Sequence, residues 1–182
     1  MQWSKTKATL EGFLCDSLRG RIKIYATIYR KFHDGPSRVW ITFDKREILS
    51  GSDVSYSNAH EKIYQQIKED RKLKRIPYNT DFNVRYNSLE RKELTKASDD
   101  AEEILIKQSI FESYHLFAPF MKYSSLSIED VLKSENIIIR AFSMLDKRLG
   151  KRRLKELNLP EGTHPLILEF YHIRCSVDGI NT

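Results

Sequence analysis

Five histidines, two cysteines and one dense run of cations are the residues with which this 182-residue chain could do chemistry. The histidines are His33, His60, His115, His164 and His172, and none stands at an HxxxH or HExxH spacing. Zinc chemistry on a helix needs two imidazoles on one face, so no metal site is expected. Cys15 and Cys175 lie near opposite ends and form no CxxC or Cys/His pattern. They are expected to be reduced thiols that pack as small apolar groups. There is no glycine-rich phosphate cradle, nucleophile elbow or kinase-type signature, so neither a cofactor nor a catalytic residue is assigned. Asp44-Lys45-Arg46-Glu47 follows a strand-like segment, where a nuclease places metal-binding acids. It lacks the second acid and lysine at matching spacing, and reads as a charged strand end.

The cation run is Asp146-Lys147-Arg148-Leu149-Gly150-Lys151-Arg152-Arg153-Leu154-Lys155-Glu156-Leu157. Two geometries follow from it. A helix running through Gly150 would align Arg148, Lys151, Arg152 and Lys155 as one exposed stripe, at a cost of about 1 kcal/mol for the mid-helix glycine. A helix ending at Gly150 would instead set Lys151, Arg152 and Arg153 at the start of the next one. Cations are misplaced there for the helix dipole, yet well placed beside free N–H groups to bind an anion. Arg148, Lys151, Arg152, Arg153 and Lys155 are therefore the candidate anion- or partner-binding residues; a solvated charged face is the plain alternative. A second run, Lys68, Arg71, Lys72, Lys74 and Arg75, closes a predicted helix, where the dipole already favours cations.

These residues need a scaffold, and the periodicity supplies one. Ser4 is placed to cap a helix carrying Leu10, Phe13, Leu14 and Leu18, with Gly20 as its stop. From Arg21 the period becomes two: Ile22, Ile24, Ala26 and Ile28 alternate with Lys23, Tyr25, Thr27 and Tyr29. A turn at His33–Ser37 leads to a second alternating segment, Arg38–Asp44, so an antiparallel hairpin is expected with Ile24 and Ile41 on its core face. Tyr25, Tyr29 and Trp40 fall on the other face, which a helix of the same chain commonly covers. A short third strand is expected at Glu47–Leu49 or Val54–Tyr56. Asn58 with Glu61 fits the start of a helix that ends before Pro77. Residues 77–88 read as a long loop whose Tyr78, Phe82 and Tyr86 pack on the body, with room for a strand at Phe82, Val84 and Tyr86.

The remainder is expected to be helical: Leu89–Ala97, Asp100–Phe117, a short helix capped by Ser127, the stripe Ile138, Ala141, Phe142, Leu145 and Leu149, and a last helix opened by Pro165. This predicts an α+β fold, a small antiparallel sheet packed against several helices with a helical C-terminal half. One domain over 1–182 is expected, with strands in 1–88, helices in 89–175 and a frayed tail at 176–182.

Hydrophobic residues at 40% and aromatic residues at 11% exclude a disordered chain, even with 31% charged residues. The net charge of +6 favours phosphate or acidic partners. No signal peptide is visible and no apolar run approaches a membrane span, so a cytoplasmic protein without a membrane partner is expected. Trp3-Ser4-Lys5-Thr6-Lys7 through Leu18, Gly35-Pro36-Ser37-Arg38-Val39-Trp40 through Leu49, and Ala141-Phe142 through Leu157 together resemble an uncharacterised bacterial family found in Bacillus-like genomes. That family has no assigned activity, so the resemblance implies a bacterial cytoplasmic protein and transfers no site residue. The leading expectation is a non-enzymatic binding module whose basic face holds an acidic or phosphate-bearing partner, nucleic acid first. A protein-interaction component (an immunity, anti-defence or assembly factor using the strand edge or the aromatic loop) is second, and an enzyme third.

Overall fold

Alternating apolar residues build three strands, β1 (Ile22–Thr27), β2 (Arg38–Phe43) and β3 (Arg46–Ser52), in the computed structural model, which describes residues 3–27 and 36–180. They form an antiparallel sheet in the order β1-β2-β3. Ile24 pairs with Ile41 and Tyr25 with Trp40, and both isoleucines are fully buried. The Tyr25 and Trp40 rings stack on the opposite face at 5.2 Å, and Tyr25 stays 39% exposed although Lys7 of the first helix lies 5.2 Å over its ring. Ile28, Tyr29 and residues 33–35 of the expected turn lie outside the described residues. The third strand takes the first of its two expected positions. Asp44 and Lys45 both have positive φ, as a two-residue turn matched to strand twist requires. A register shift after Ile41 leaves Ile48 as an extra residue, which explains why Ile48 and Leu49 are both buried.

The helices are α1 (Trp3–Phe13), α2 (Asp53–Asp70), α3 (Phe82–Tyr86), α4 (Leu89–Lys107), α5 (Ser113–Tyr123), α6 (Ile128–Leu132), α7 (Ile137–Ser143), α8 (Lys151–Lys155) and α9 (Pro165–Asp178). The fold is α+β, with helices filling the C-terminal half. Contacts divide the chain into two compact units, Met1–Asp53 with Phe111–Thr182, and Val54–Ile110.

In the first unit, Leu10, Leu18, Ile24, Ile41, Leu116, Phe120, Phe142 and Phe170 form the core. Phe142 meets Phe120 and Tyr123 edge-on at 5.5 and 4.9 Å. The first helix stops at Phe13, short of the expected Gly20. There the chain turns to pair with a distant segment: Lys147 N–H donates to the Phe13 carbonyl and Cys15 N–H to that of Leu145. Ser4 lies inside α1 rather than at a cap. The stripe from Ile138 to Leu149 is buried throughout, yet it is not one helix, because α7 ends at Ser143 and the chain turns around Asp146. Ser127 and Pro165 open α6 and α9 as expected. The tail does not fray at residue 176: α9 runs to Asp178, Gly179 closes it in the left-handed region, and Ile180 is buried. Cys15 and Cys175 are free and buried.

At Gly51 of β3 the sheet and α5 approach closely. A Cβ there would lie 2.6 Å from the Glu112 carbonyl oxygen and 2.9 Å from Leu116 Cδ1. Gly51→Ala must push α5 off the sheet, and a loss of about 1–3 kcal/mol is expected in urea unfolding. A change within about 0.5 kcal/mol, the usual surface value, would show that α5 shifts freely.

In the second unit, Ile67, Ala97 and Ala101 are buried, with Ile63, Tyr64 and Leu73 packed on them. Ala97 and Ala101 are one turn apart on this stripe, so α4 runs unbroken across Ser98 and Asp99, where two helices were expected. It ends near Ser109, which has φ 60°, and α5 begins separately at Ser113. Asn58 falls inside α2, which starts at Asp53. This helix ends at Asp70, before Pro77 as expected. Lys72 takes φ 51° and the Leu73 N–H donates to the Lys68 carbonyl, a reversal that folds Leu73 onto the cluster.

Candidate functional site

Most of the predicted cation site is used by the fold itself. Asp146 is fully buried and accepts hydrogen bonds from the Tyr123 hydroxyl at 2.7 Å, the Arg148 backbone at 2.8 Å and the Arg148 guanidinium at 2.7–3.2 Å. Arg148 also donates to the Leu126 carbonyl at 2.7 Å and lies 4.3 Å over the Phe13 ring. Burial, then the charge and hydrogen bond of Asp146, push the Tyr123 phenol well above its ordinary value, which keeps it a donor. Gly150 ends no helix, since α7 stops at Ser143, but it caps α8, so Lys151, Arg152 and Arg153 open a helix as in the second expected geometry. Lys151 donates to the Asp178 carbonyl at 3.2 Å and lies 3.7 Å from its carboxylate. Arg153 pairs with Glu129 at 2.5 Å, which lowers that carboxyl. Arg152 and Lys155 are exposed and make no ion pair among the described residues. The structure thus leaves two of the five predicted residues open, on a helix of one turn.

The histidines also have local roles. His164 caps α9 by accepting from the Leu166 N–H at 3.2 Å, and His115 accepts from the Glu112 N–H at 3.1 Å. His60 lies 3.1 Å from the Ser98 carbonyl, and His33 lies outside the described residues. Asp44 binds Arg21 in the hairpin turn. No group of three His, Cys, Asp or Glu among the described residues could hold a metal ion, and no helix among them is long and apolar enough to cross a membrane.

A different surface is built from the segment expected to be a packed loop. Ile76, Pro77, Tyr78, Phe82, Arg85, Tyr86 and Arg91 line a cleft of about 380 Å³. Phe82–Tyr86 is a helix, not a strand, and none of its residues is buried. Five residues cannot sustain a helix by propensity alone. Side-chain caps hold this one. Asp81 accepts from the Asn83 N–H at 2.8 Å, Asn87 donates to the Asn83 carbonyl at 2.9 Å, and Ser88 donates to the Arg85 carbonyl at 2.8 Å. Its apolar side chains consequently do no packing in a core. Tyr78 is 86% exposed, Phe82 64% and Tyr86 54%, which corrects the expectation that they pack down. Phe82 and Tyr86, one helical turn apart, stack at 5.6 Å, and the Arg91 guanidinium lies 5.0 Å over Tyr86.

Two arginines, Arg85 and Arg91, line the cleft, and the segment that holds it is one-sided in charge. Between residues 71 and 92 stand Arg71, Lys72, Lys74, Arg75, Arg85, Arg91 and Lys92 against only Asp81 and Glu90. Arg71 pairs with Asp100, while Lys72, Lys74, Arg75, Arg85 and Lys92 make no ion pair among the described residues. Because α2 ends at Asp70, Lys74 and Arg75 lie beyond the reach of its dipole, which was expected to account for them. The sequence signal for this surface is the i, i+4 pair Phe82–Tyr86 with Arg85 between, in a helix whose one aliphatic residue is Val84.

A model of the SF0329 protein family matches residues 2–175. The chain belongs to the SF0329 protein family. No curated protein and no solved structure matches it. The match spans both units of this SF0329 chain, including the cleft and the Asp146 turn.

Proposed function

We propose that this SF0329 protein is a non-enzymatic binding module that holds a phosphate-bearing partner, nucleic acid, at the cleft formed by residues 76–91. The supporting observation is the combination of three exposed rings, Tyr78 and the two on α3, with an unpaired arginine of α3, a helix none of whose residues is buried. Exposed apolar surface gathered in one place marks binding sites. Aromatic faces with flanking cations suit a ligand that has both π surfaces and phosphates. The cytoplasm is the compartment proposed, since it holds nucleic acid and keeps thiols such as Cys15 and Cys175 reduced.

The test is an anisotropy titration with labelled oligonucleotides, single and double stranded, at about 50 and about 200 mM salt. Wild type should bind at least one of them, more weakly at the higher salt. Arg85→Gln should weaken binding and reduce the salt slope by about one, the signature of one lost phosphate contact. The pair Arg152→Gln and Lys155→Gln should leave both unchanged. The reverse pattern would move the site to α8. No binding at low salt would end the nucleic-acid reading and favour the second reading, a protein-interaction component.

A further inference from the structure

We infer that the cleft accepts an unpaired base, so that the protein prefers single-stranded over duplex nucleic acid; the inference rests on the nucleic-acid reading above. The rings of the cleft differ in how far they are already occupied. Tyr86 is engaged by Phe82 at 5.6 Å and by the Arg91 guanidinium at 5.0 Å. Phe82 has that one ring neighbour, and Tyr78 has none among the described residues. Tyr78 and Phe82 therefore keep open π faces beside one opening, while the Tyr86–Arg91 contact serves as its wall.

An open aromatic face attracts another π face, and a base in a duplex has both of its faces covered by neighbouring pairs. Only an unpaired or extruded base can offer one. The opening, at about 380 Å³, is at the small end of ligand pockets (~300–1,000 Å³) and matches one inserted group rather than a groove for a double helix. Arg85, which falls between Phe82 and Tyr86 in the sequence of α3, lines the same cleft and makes no ion pair among the described residues, so its guanidinium is available to the phosphate of the inserted nucleotide. Base readout in a duplex major groove would instead call for an inserted helix of several turns or a two-stranded ribbon. The exposed helix here is one turn.

The experiment uses the full chain with two probes of the same sequence and label, a single strand and its duplex, at one salt concentration. The single strand should bind about tenfold more tightly or better. Tyr78→Ala and Phe82→Ala should each weaken single-strand binding by about five- to hundredfold, the range for loss of one stacked base. Both side chains are mostly solvent-exposed, so the variants should keep the wild-type circular dichroism and thermal midpoint. A Tyr78→Trp variant gives an independent readout: its added indole fluorescence should be quenched by the single strand and not by the duplex. Equal affinity for both probes, or single-strand affinity unchanged in both alanine variants, would overturn the inference while leaving the nucleic-acid reading intact. Failure of wild type to bind either probe would overturn that reading and the inference with it.

Discussion

Asp146→Ala should destabilise the protein by about 3–5 kcal/mol, the cost of breaking a buried ion pair by removing one partner. The side chain is fully buried, so its charge has no water to fall back on. It also joins three parts of the first unit: the Tyr123 hydroxyl at the end of α5, the backbone turn at Arg148, and the Arg148 guanidinium, which in turn holds the Leu126 carbonyl. Alanine strands both the phenol and the guanidinium. Tyr123→Phe removes only one neutral donor and leaves the arginine in place, so its loss should be smaller, about 0.5–1.5 kcal/mol. Urea unfolding of the two variants separates the contributions. A loss below 1 kcal/mol in Asp146→Ala would mean that the Phe13 ring and the Leu126 carbonyl hold Arg148 without the carboxylate.

The reason for Asp146 explains what was and was not legible in the sequence. Strand alternation at Ile22–Thr27 and Arg38–Phe43 was legible because burial on one face imposes period two locally. So were the starts of α6 and α9, which depend on side chains within a few residues of the cap. The apolar stripe from Ile138 to Leu149 identified buried residues correctly but gave the wrong element, because helical spacing cannot reveal that Phe13 and Cys15 supply backbone partners to Lys147 and Leu145. Arg148 was singled out as surplus charge for a related reason. Its acid is two residues away and becomes a partner only when the turn reverses the chain and buries it.

At the cleft the error ran the other way. Tyr78, Phe82 and Tyr86 were assigned to packing because apolar rings are usually inside, and composition cannot say which rings have a core to enter. The decisive facts are that α2 stops at Asp70 and that Leu73, rather than Tyr78, turns onto the Ile67–Ala97–Ala101 cluster. The reversal at Lys72 uses a residue type that seldom takes positive φ, so no glycine signalled it in the sequence.

Arg174→Met should cost about 3–5 kcal/mol as well, and should change how stability depends on acid. The guanidinium is buried and donates to the carbonyls of Asp146 and Leu149 at 3.1 Å each and of Met144 at 3.4 Å, while its Nε donates to Asp178 at 2.7 Å. Burial alone would raise the Asp178 carboxyl. The hydrogen bonds from Arg174 and Ser17, with the charges of Arg174 and Lys151, outweigh it and hold the group below its ordinary value. A carboxyl depressed in the folded state contributes stability above its unfolded pKa of about 3.9 and loses it as pH falls through the lower folded value. Wild type should therefore weaken progressively in acid below about pH 4. In Arg174→Met the strongest opposing group is gone and burial dominates, so the folded state takes up the proton earlier and this part of the acid dependence shrinks or reverses. Guanidinium unfolding of both proteins at several pH values between about 3 and 6 would show it. Parallel pH profiles would mean that Ser17 and Lys151 alone hold Asp178 ionised. Because Arg174 grips the carbonyls of the same turn that presents the Asp146 carboxylate, the two networks share a backbone. Asp146→Asn and Arg174→Met should consequently be non-additive, with a coupling of about 0.5–3 kcal/mol in a double-mutant cycle. Additivity within about 0.3 kcal/mol would show instead that the turn keeps its shape when either network is cut.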